Sequence, residues 1–235
     1  MADRLISQIA IAAGVTAAFA AVAYGLGMVS QGGALGGFLI GTVVYASLGA
    51  PGFTVLALFV IGGSLLTRLG YGRKRRAGIA EGGGGRRGAA NALANCGIAV
   101  VCALAYSLTP SEPLAAAFVA SLGAAFADTA ESEIGGLYGR DPRLITNMKA
   151  VSPGTDGAVS MPGTLAGLAA AGLPAGSGLA LGLVSGPAAA VVVALAAYLG
   201  SVADSLIGAL APRVGNELTN VTCTLVAAVL ALSFV

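Results

Sequence analysis

Three carboxylates, Asp128, Glu131 and Glu133, stand within six residues of one another in a chain that has only 10 acidic residues and no histidine. On a helix Asp128 and Glu131 share a face, whereas Glu133 points elsewhere. Clustered oxygen ligands suit Mg2+, which takes one or two carboxylates, keeps several waters and completes its shell with substrate phosphate. The plainer alternative is that these acids pair with the basic loops of the chain. A fourth acid, Asp204, sits in Ala203-Asp204-Ser205, which echoes Ala127-Asp128-Thr129.

Two segments offer the complementary charge. Residues 82–88 read Gly-Gly-Gly-Gly-Arg-Arg-Gly and run into an expected helix that carries Asn91 and Asn95 on one side. A Gly-rich loop opening a helix presents free N–H groups and the positive end of a helix dipole, which suits phosphate. Arg86 and Arg87 add forked donors beside Gly84 and Gly85. No Gly-Lys-Ser/Thr follows the glycines, so this is not a Walker loop, and taken alone it also reads as a flexible charged connector. Residues 149–163 form a second turn-rich segment, with Lys149 as a point charge and Gly154, Thr155 and Gly157 supplying amides and a hydroxyl. A plain connector is the alternative there. Asn216-x-Leu218-x-Asn220 repeats the Asn91-x-Leu93-x-Asn95 pattern. Two halves contributing an Asp and an Asn pair each to one central site would explain both echoes.

The elements that must hold these residues are membrane helices. The chain is 57% hydrophobic and 9% charged, with a mean hydropathy of +0.89, against about a quarter charged in a soluble domain. Too few polar residues remain to coat a water-facing surface. Apolar runs near 5–28, 34–49, 52–69, 89–108, 113–130, 162–184, 187–209 and 218–235 predict an all-α, polytopic bundle of seven or eight spans forming one integral-membrane domain. The pair 34–49 and 52–69 is short, with only Ala50-Pro51 between, so one of them could be re-entrant. Pro174 to Gly178 interrupts the run 162–184. The first run is longer than the apolar core of a secretory signal and no clear cleavage site follows, which predicts a retained helix. Gly33, Gly37 and Gly41 form a small-residue stripe that predicts close helix packing within the chain. Cys96, Cys102 and Cys223 lack metal-ligand spacing and read as small core residues.

Positive charge predicts the orientation. Basic residues gather in the Gly-rich loops near 70–88 and 136–162 and at Arg213, whereas the turn Thr109-Pro110-Ser111-Glu112-Pro113 has none. All the basic loops fall on one side, expected to be the cytoplasm. With no His, no activated Cys and no Ser/His/Asp set, acyl hydrolysis lacks its parts. Phosphoryl transfer needs mainly positioning and charge neutralisation by Mg2+, Arg and Lys, which is the inventory present. The membrane setting points to a lipid substrate, and no nucleic-acid partner is expected.

In combination, residues 78–88 (Gly-Ile-Ala-Glu-x-x-Gly-Gly-Arg-Arg-Gly), 127–135 (Ala-Asp-Thr-x-x-Ser-Glu-Ile-Gly), 142–146 (Pro-x-x-Ile-Thr) and 151–157 (Val-x-Pro-Gly-Thr-x-Gly) resemble a widespread integral-membrane family. Its best-known plant member is the chloroplast phytyl-phosphate kinase, and an animal transmembrane protein belongs to it too. That resemblance implies an isoprenyl-phosphate kinase. It would move a phosphoryl group from a nucleoside triphosphate, CTP being favoured although the residues do not define the base, to an isoprenyl monophosphate. Asp128, Glu133 and Asp204 would hold Mg2+, with Glu131 an additional metal ligand outside the shared pattern. Lys149, Arg86 and Arg87 would neutralise the triphosphate, helped by Ser132 and by the backbones at Gly84, Gly85, Gly154, Thr155 and Gly157. Asn91, Asn95, Asn216 and Asn220 would orient phosphate oxygens.

Two other classes compete. A transporter of an anionic lipid or small metabolite also uses broken helices, repeats and sparse buried charge. A cytidine-diphosphate-alcohol phosphotransferase needs an Asp-Gly-x-x-Ala-Arg pattern that is absent here.

Overall fold

In lipid the backbone must satisfy its own hydrogen bonds, so a chain this apolar folds as helices. The computed structural model describes residues 2–235. In chain order it contains α1 (Ala2–Gly25), α2 (Gln31–Arg68), the short α3 (Tyr71–Arg76) and α4 (Gly82–Gly85), α5 (Ala89–Leu108) and α6 (Glu112–Tyr138). A two-residue ribbon of β1 (Arg143–Leu144) and β2 (Ala158–Val159) follows, then α7 (Met161–Ala180), α8 (Pro187–Leu210) and α9 (Asn216–Phe234). The strands pair antiparallel, Arg143 opposite Val159. Six helices, α1, α2, α5, α6, α8 and α9, are long and apolar enough to cross a membrane. The polytopic helical bundle expected from composition is what the chain forms.

Helix α2 is a hairpin. Gly49 takes φ 66°, ψ −161° just before Pro51 and breaks the 38-residue helix into two limbs. Gly33 on the first limb and Gly63 on the second both lie beside Arg87, and Gly41 faces the Phe53 ring, so the limbs run antiparallel. Each limb is roughly 27 Å long at about 1.5 Å per residue, close to the thickness of the hydrocarbon. These limbs are the pair of short runs expected around Ala50-Pro51.

The expected interruption of 162–184 does not occur. Helix α7 continues through Pro174 to Ala180, and Gly123 of α6, in ordinary contact with Pro174, makes room for Ala197 of α8. Nor does α6 stop at 130. It carries the acidic motif on to Tyr138, because Gly135 lets the Ser160 and Gly163 end of α7 approach closely there. With two limbs from α2, eight long segments make up the bundle.

Helix α6 is the central post. Its most apolar stretch is 83% buried, against 33% or less in the other five, and every residue from Ala115 to Ala127 is buried. Small side chains allow this. Gly178 meets Val119 near one end of the antiparallel α6–α7 pair, and Gly163 meets Gly135 at the other. Gly200 of α8 sits against Ala124 of α6 and Ala227 of α9. The outer faces carry exposed Leu39, Leu65, Val101, Leu195 and Val229, as lipid contact requires.

The stripe on α2 divides its work. Gly41 packs on Thr16 of α1, as close helix packing predicts, and Gly33 gives way to the backbone carbonyl of Arg87 rather than to a helix. A side chain at Gly37 would meet nothing within 4 Å.

Candidate functional site

At the end of the bundle that carries the basic loops, the helices α5, α7 and α9 begin around a common space. Their first turns, together with the later turns of α6 and α8, surround a polar cavity of about 410 Å3. The N-terminal ends of α5, α7 and α9 therefore bring three sets of unpaired backbone N–H groups and three positive dipole ends to one place, which favours an anion. Ser160 caps α7, accepting from Gly163 N at 3.4 Å.

Carboxylates come from the other two helices. Asp128 and Glu131 of α6 and Asp204 of α8 line the cavity, and Asp128 lies within Coulombic reach of Asp204, Glu131 and Arg87. Asp204 Oδ2 is buried without a hydrogen-bond partner. A buried carboxylate oxygen left bare is costly unless a cation or donor completes it. The donor set is all oxygen, as a hard divalent cation prefers. Among the described residues, no three acidic or thiol groups gather closely enough to ligate one ion by themselves. A cation here would draw its remaining ligands from phosphate and water, the habit of Mg2+.

Arg87 supplies the opposing charge from inside the bundle. Its Nη1 donates to Asn91 Oδ1 at 3.1 Å and its Nη2 to Thr129 Oγ1 at 3.3 Å. The guanidinium also lies 5.9 Å from the centre of the Phe59 ring, in cation–π range. Its Nε has no partner. The backbone is pinned as firmly, with Arg87 N donating to Met28 O at 3.2 Å and Ser30 N donating to Arg87 O at 3.0 Å.

The cavity wall includes Asp128, Glu131, Ser132, Glu133 and Asp204, all four asparagines (Asn91, Asn95, Asn216 and Asn220), Arg87, and Gly154, Thr155 and Gly157. Gly154 and Gly157 both have positive φ, 84° and 73°, which lets the second turn-rich segment fold over the cavity. Both halves contribute to this wall, the Asn pair of α5 with Asp128 of α6 and the Asn pair of α9 with Asp204 of α8. Asn95 is almost fully buried, its Nδ2 donating to Asn91 O at 2.9 Å.

Four residues expected at the site stand outside it. Arg86 is exposed and its side chain lies beside Gly27, because consecutive residues in extended backbone point to opposite sides. Gly84 and Gly85 belong to the short α4, where Gly85 packs against Thr67 and Tyr71 instead of facing the cavity. Lys149 is exposed in the turn that closes on β1, its N–H donating to Asn147 Oδ1 at 3.0 Å. Glu133 lines the cavity, but its carboxylate is held in an ion pair by Lys74.

Several further residues line the wall with little mark in the sequence. Thr129 and Ser205 each follow an aspartate, so the Asp-hydroxyl pair was already visible in the repeat. Thr164, Thr219 and Asp156 also line the wall. Lys74 left no trace beyond membership of a basic run, since only the fold shows that it alone of that run is buried.

Fold and cavity together define a polytopic helical membrane protein with a charged chamber at one end of its bundle. The family described as "Integral membrane protein DUF92" matches residues 14–228, and the chain belongs to that family, as its motif set implied. Among relatives, an uncharacterized membrane protein of Synechocystis is 38% identical, covering 83% of this chain and 78% of that one. Protein VTE6, chloroplastic, of Arabidopsis thaliana is 36% identical, covering 77% of this chain and 55% of that longer protein. An uncharacterized membrane protein of Methanocaldococcus jannaschii is 34% identical, covering 84% of this chain and 82% of its own. No solved structure matches the chain.

Proposed function

We propose that this protein is a membrane kinase that transfers the terminal phosphoryl group of a nucleoside triphosphate to an isoprenyl monophosphate, giving the diphosphate. The observation that carries the reading is the pairing, in one cavity, of three helix N-termini and Arg87 with the acids Asp128, Glu131 and Asp204. An anion alone would not tolerate the carboxylates, and a cation alone would not need the dipoles. A polyphosphate with a divalent cation needs both. The motif resemblance to the phytyl-phosphate kinase family and the kinship with a chloroplast relative support the choice of acceptor.

Asp128 and Asp204 would hold the cation, with water and phosphate completing its shell and Glu131 nearby in the wall, and the cation when bound supplies charge neutralisation on the donor phosphates. Arg87 neutralises phosphate oxygens through its guanidinium charge, and Asn91 and Thr129 fix the plane of that guanidinium. Asn95, Asn216 and Asn220, with the amides at the starts of α5, α7 and α9, orient the remaining oxygens. An oxygen of the acceptor monophosphate forms the new P–O bond to the γ-phosphorus while the bond to the β–γ bridging oxygen breaks, and the nucleoside diphosphate leaves. A phosphate monoester has its second pKa near about 6. The acceptor is therefore already anionic at neutral pH and needs no general base, which suits a chain without histidine.

The excess of basic residues in the loops at this end favours a cytoplasmic cavity. Beneath it α6 is packed solid from Ala115 to Ala127, which favours a site that works at one face over a path across the bilayer. The test uses purified protein in detergent with γ-labelled nucleoside triphosphates, Mg2+ and phytyl or geranylgeranyl phosphate. Mg2+-dependent label in the isoprenyl diphosphate is expected, and lost in Asp128→Asn with the fold intact. Failure with every donor and isoprenyl phosphate would overturn the reading in favour of transport.

A further inference from the structure

A second cavity, of about 60 Å3, lies inside the bundle between α1, both limbs of α2 and α5. Its wall includes Phe19, Val29, Ile40, Phe53, Leu56 and Phe59, and apart from the Cys96 thiol its only polar side chains are Arg87 and Asn91. Those same two residues line the charged cavity. The guanidinium of Arg87, stacked over Phe59 and bonded to Asn91, is thus a partition between a polar chamber and an apolar one. A ligand touching both sides of it must be charged at one end and hydrocarbon at the other.

We infer that the apolar chamber is the subsite for the hydrocarbon chain of a lipid phosphate whose head group sits at Arg87 and Asn91. The inference rests on the kinase reading for its acceptor and adds where the chain runs and what limits its length. Chambers of this composition stay dry and reward hydrocarbon. Phe19, Ala20 and Gly37 in the wall are only half-buried, so a chain longer than the chamber leaves between α1 and the first limb of α2 toward lipid. Gly37 sets the bore. It lines the chamber, and a Cβ built on it meets no atom within 4 Å. Its neighbours in the stripe, Gly33 and Gly41, have no such space.

Gly37→Leu adds a branched side chain at the chamber wall, where the Cβ itself meets no neighbour, and Gly37→Ala is the conservative control. Each is compared with the unsubstituted full chain across isoprenyl monophosphates from dimethylallyl to geranylgeranyl. In Gly37→Leu the ratio of kcat/KM for the longest acceptor to that for the shortest is expected to fall at least about tenfold, the effect of displacing roughly two buried methylenes. A smaller fall is expected in Gly37→Ala. In parallel, an isoprenyl phosphate carrying a diazirine on its chain is photolysed with the unsubstituted protein and the labelled peptides are identified. Label on α1 and both limbs of α2, competed by unmodified isoprenyl phosphate, is expected. Turnover with an unchanged ratio and label elsewhere overturns the subsite and leaves the kinase reading standing. Labelling of Phe19, Ile40 or Phe53 without turnover on any acceptor upholds the subsite and removes the kinase. Absence of both turnover and labelling there overturns both, and the labelling arm decides if Gly37→Leu does not fold.

Discussion

Lys74 and Glu133 form a buried ion pair at the edge of the charged cavity, joining the short α3 to the end of α6. Lys74 is only 2% exposed, and its ammonium also donates to Thr67 O at 2.9 Å and Leu66 O at 3.1 Å. All three of its donors are used, two of them on carbonyls in the last turn of α2, where a cation also meets the negative end of the helix dipole. This lysine clamps three elements together.

Removing one partner strands the other. Lys74→Met is expected to destabilise the fold by about 3–5 kcal/mol, because Glu133 and two helix carbonyls lose their donor. The double variant Lys74→Met with Glu133→Gln should recover much of that loss. Thermal unfolding in detergent, run as a double-mutant cycle, measures the difference, and strictly additive losses would show that the pair does not couple.

The two neighbouring arginines should behave unlike each other. Arg87→Lys keeps the charge but not the fork that reaches both Asn91 and Thr129, so kcat/KM should fall roughly 10- to 100-fold, the worth of one charge-assisted hydrogen bond. Arg86→Ala, outside the cavity, should change it by less than about twofold. Steady-state kinetics on the isoprenyl phosphate separates the two, and equal losses would place both arginines on the substrate.

The acids should divide by role. Asp128→Asn and Asp204→Asn should each lower kcat by roughly 100- to 1,000-fold with helical circular dichroism unchanged, the loss typical of one preorganised electrostatic group. Both substitutions should also raise the Mg2+ concentration needed for half-maximal rate. Glu133→Gln should lower the unfolding midpoint and leave that Mg2+ requirement where it was. A Mg2+ requirement raised by Glu133→Gln alone would return Glu133 to the metal. Chelation by EDTA should stop turnover, and added Mg2+ should restore it.

Packing at the glycines is testable without any substrate. A Cβ at Gly200 would lie 2.6 Å from the Cys223 carbonyl and 2.9 Å from the Ala124 Cβ. Gly200→Ala should therefore destabilise by about 1–3 kcal/mol, the usual cost of overpacking. Gly172, exposed on α7 with nothing within 4 Å, should gain up to roughly 1 kcal/mol on substitution by Ala from helix propensity. Unfolding midpoints of the two variants should move in opposite directions.

Composition alone determined that lipid is the solvent, and hydrophobic run length placed the eight segments, because both are properties of residues taken in a line. The Asp-hydroxyl and Asn-x-x-x-Asn echoes already marked Asp128, Asp204 and the four asparagines. Only the tertiary structure decided which of the cations face them. Arg86 and Arg87 are adjacent, yet one turns toward α1 and the other enters the bundle, and Lys74 is the single buried member of a basic run. Those outcomes depend on where α2 doubles back at Gly49 and on how closely glycine lets α7 approach α6. Long-range approach leaves no periodic mark on the chain. Stripe position did not separate Gly33, Gly37 and Gly41 either, since what each faces lies on other elements.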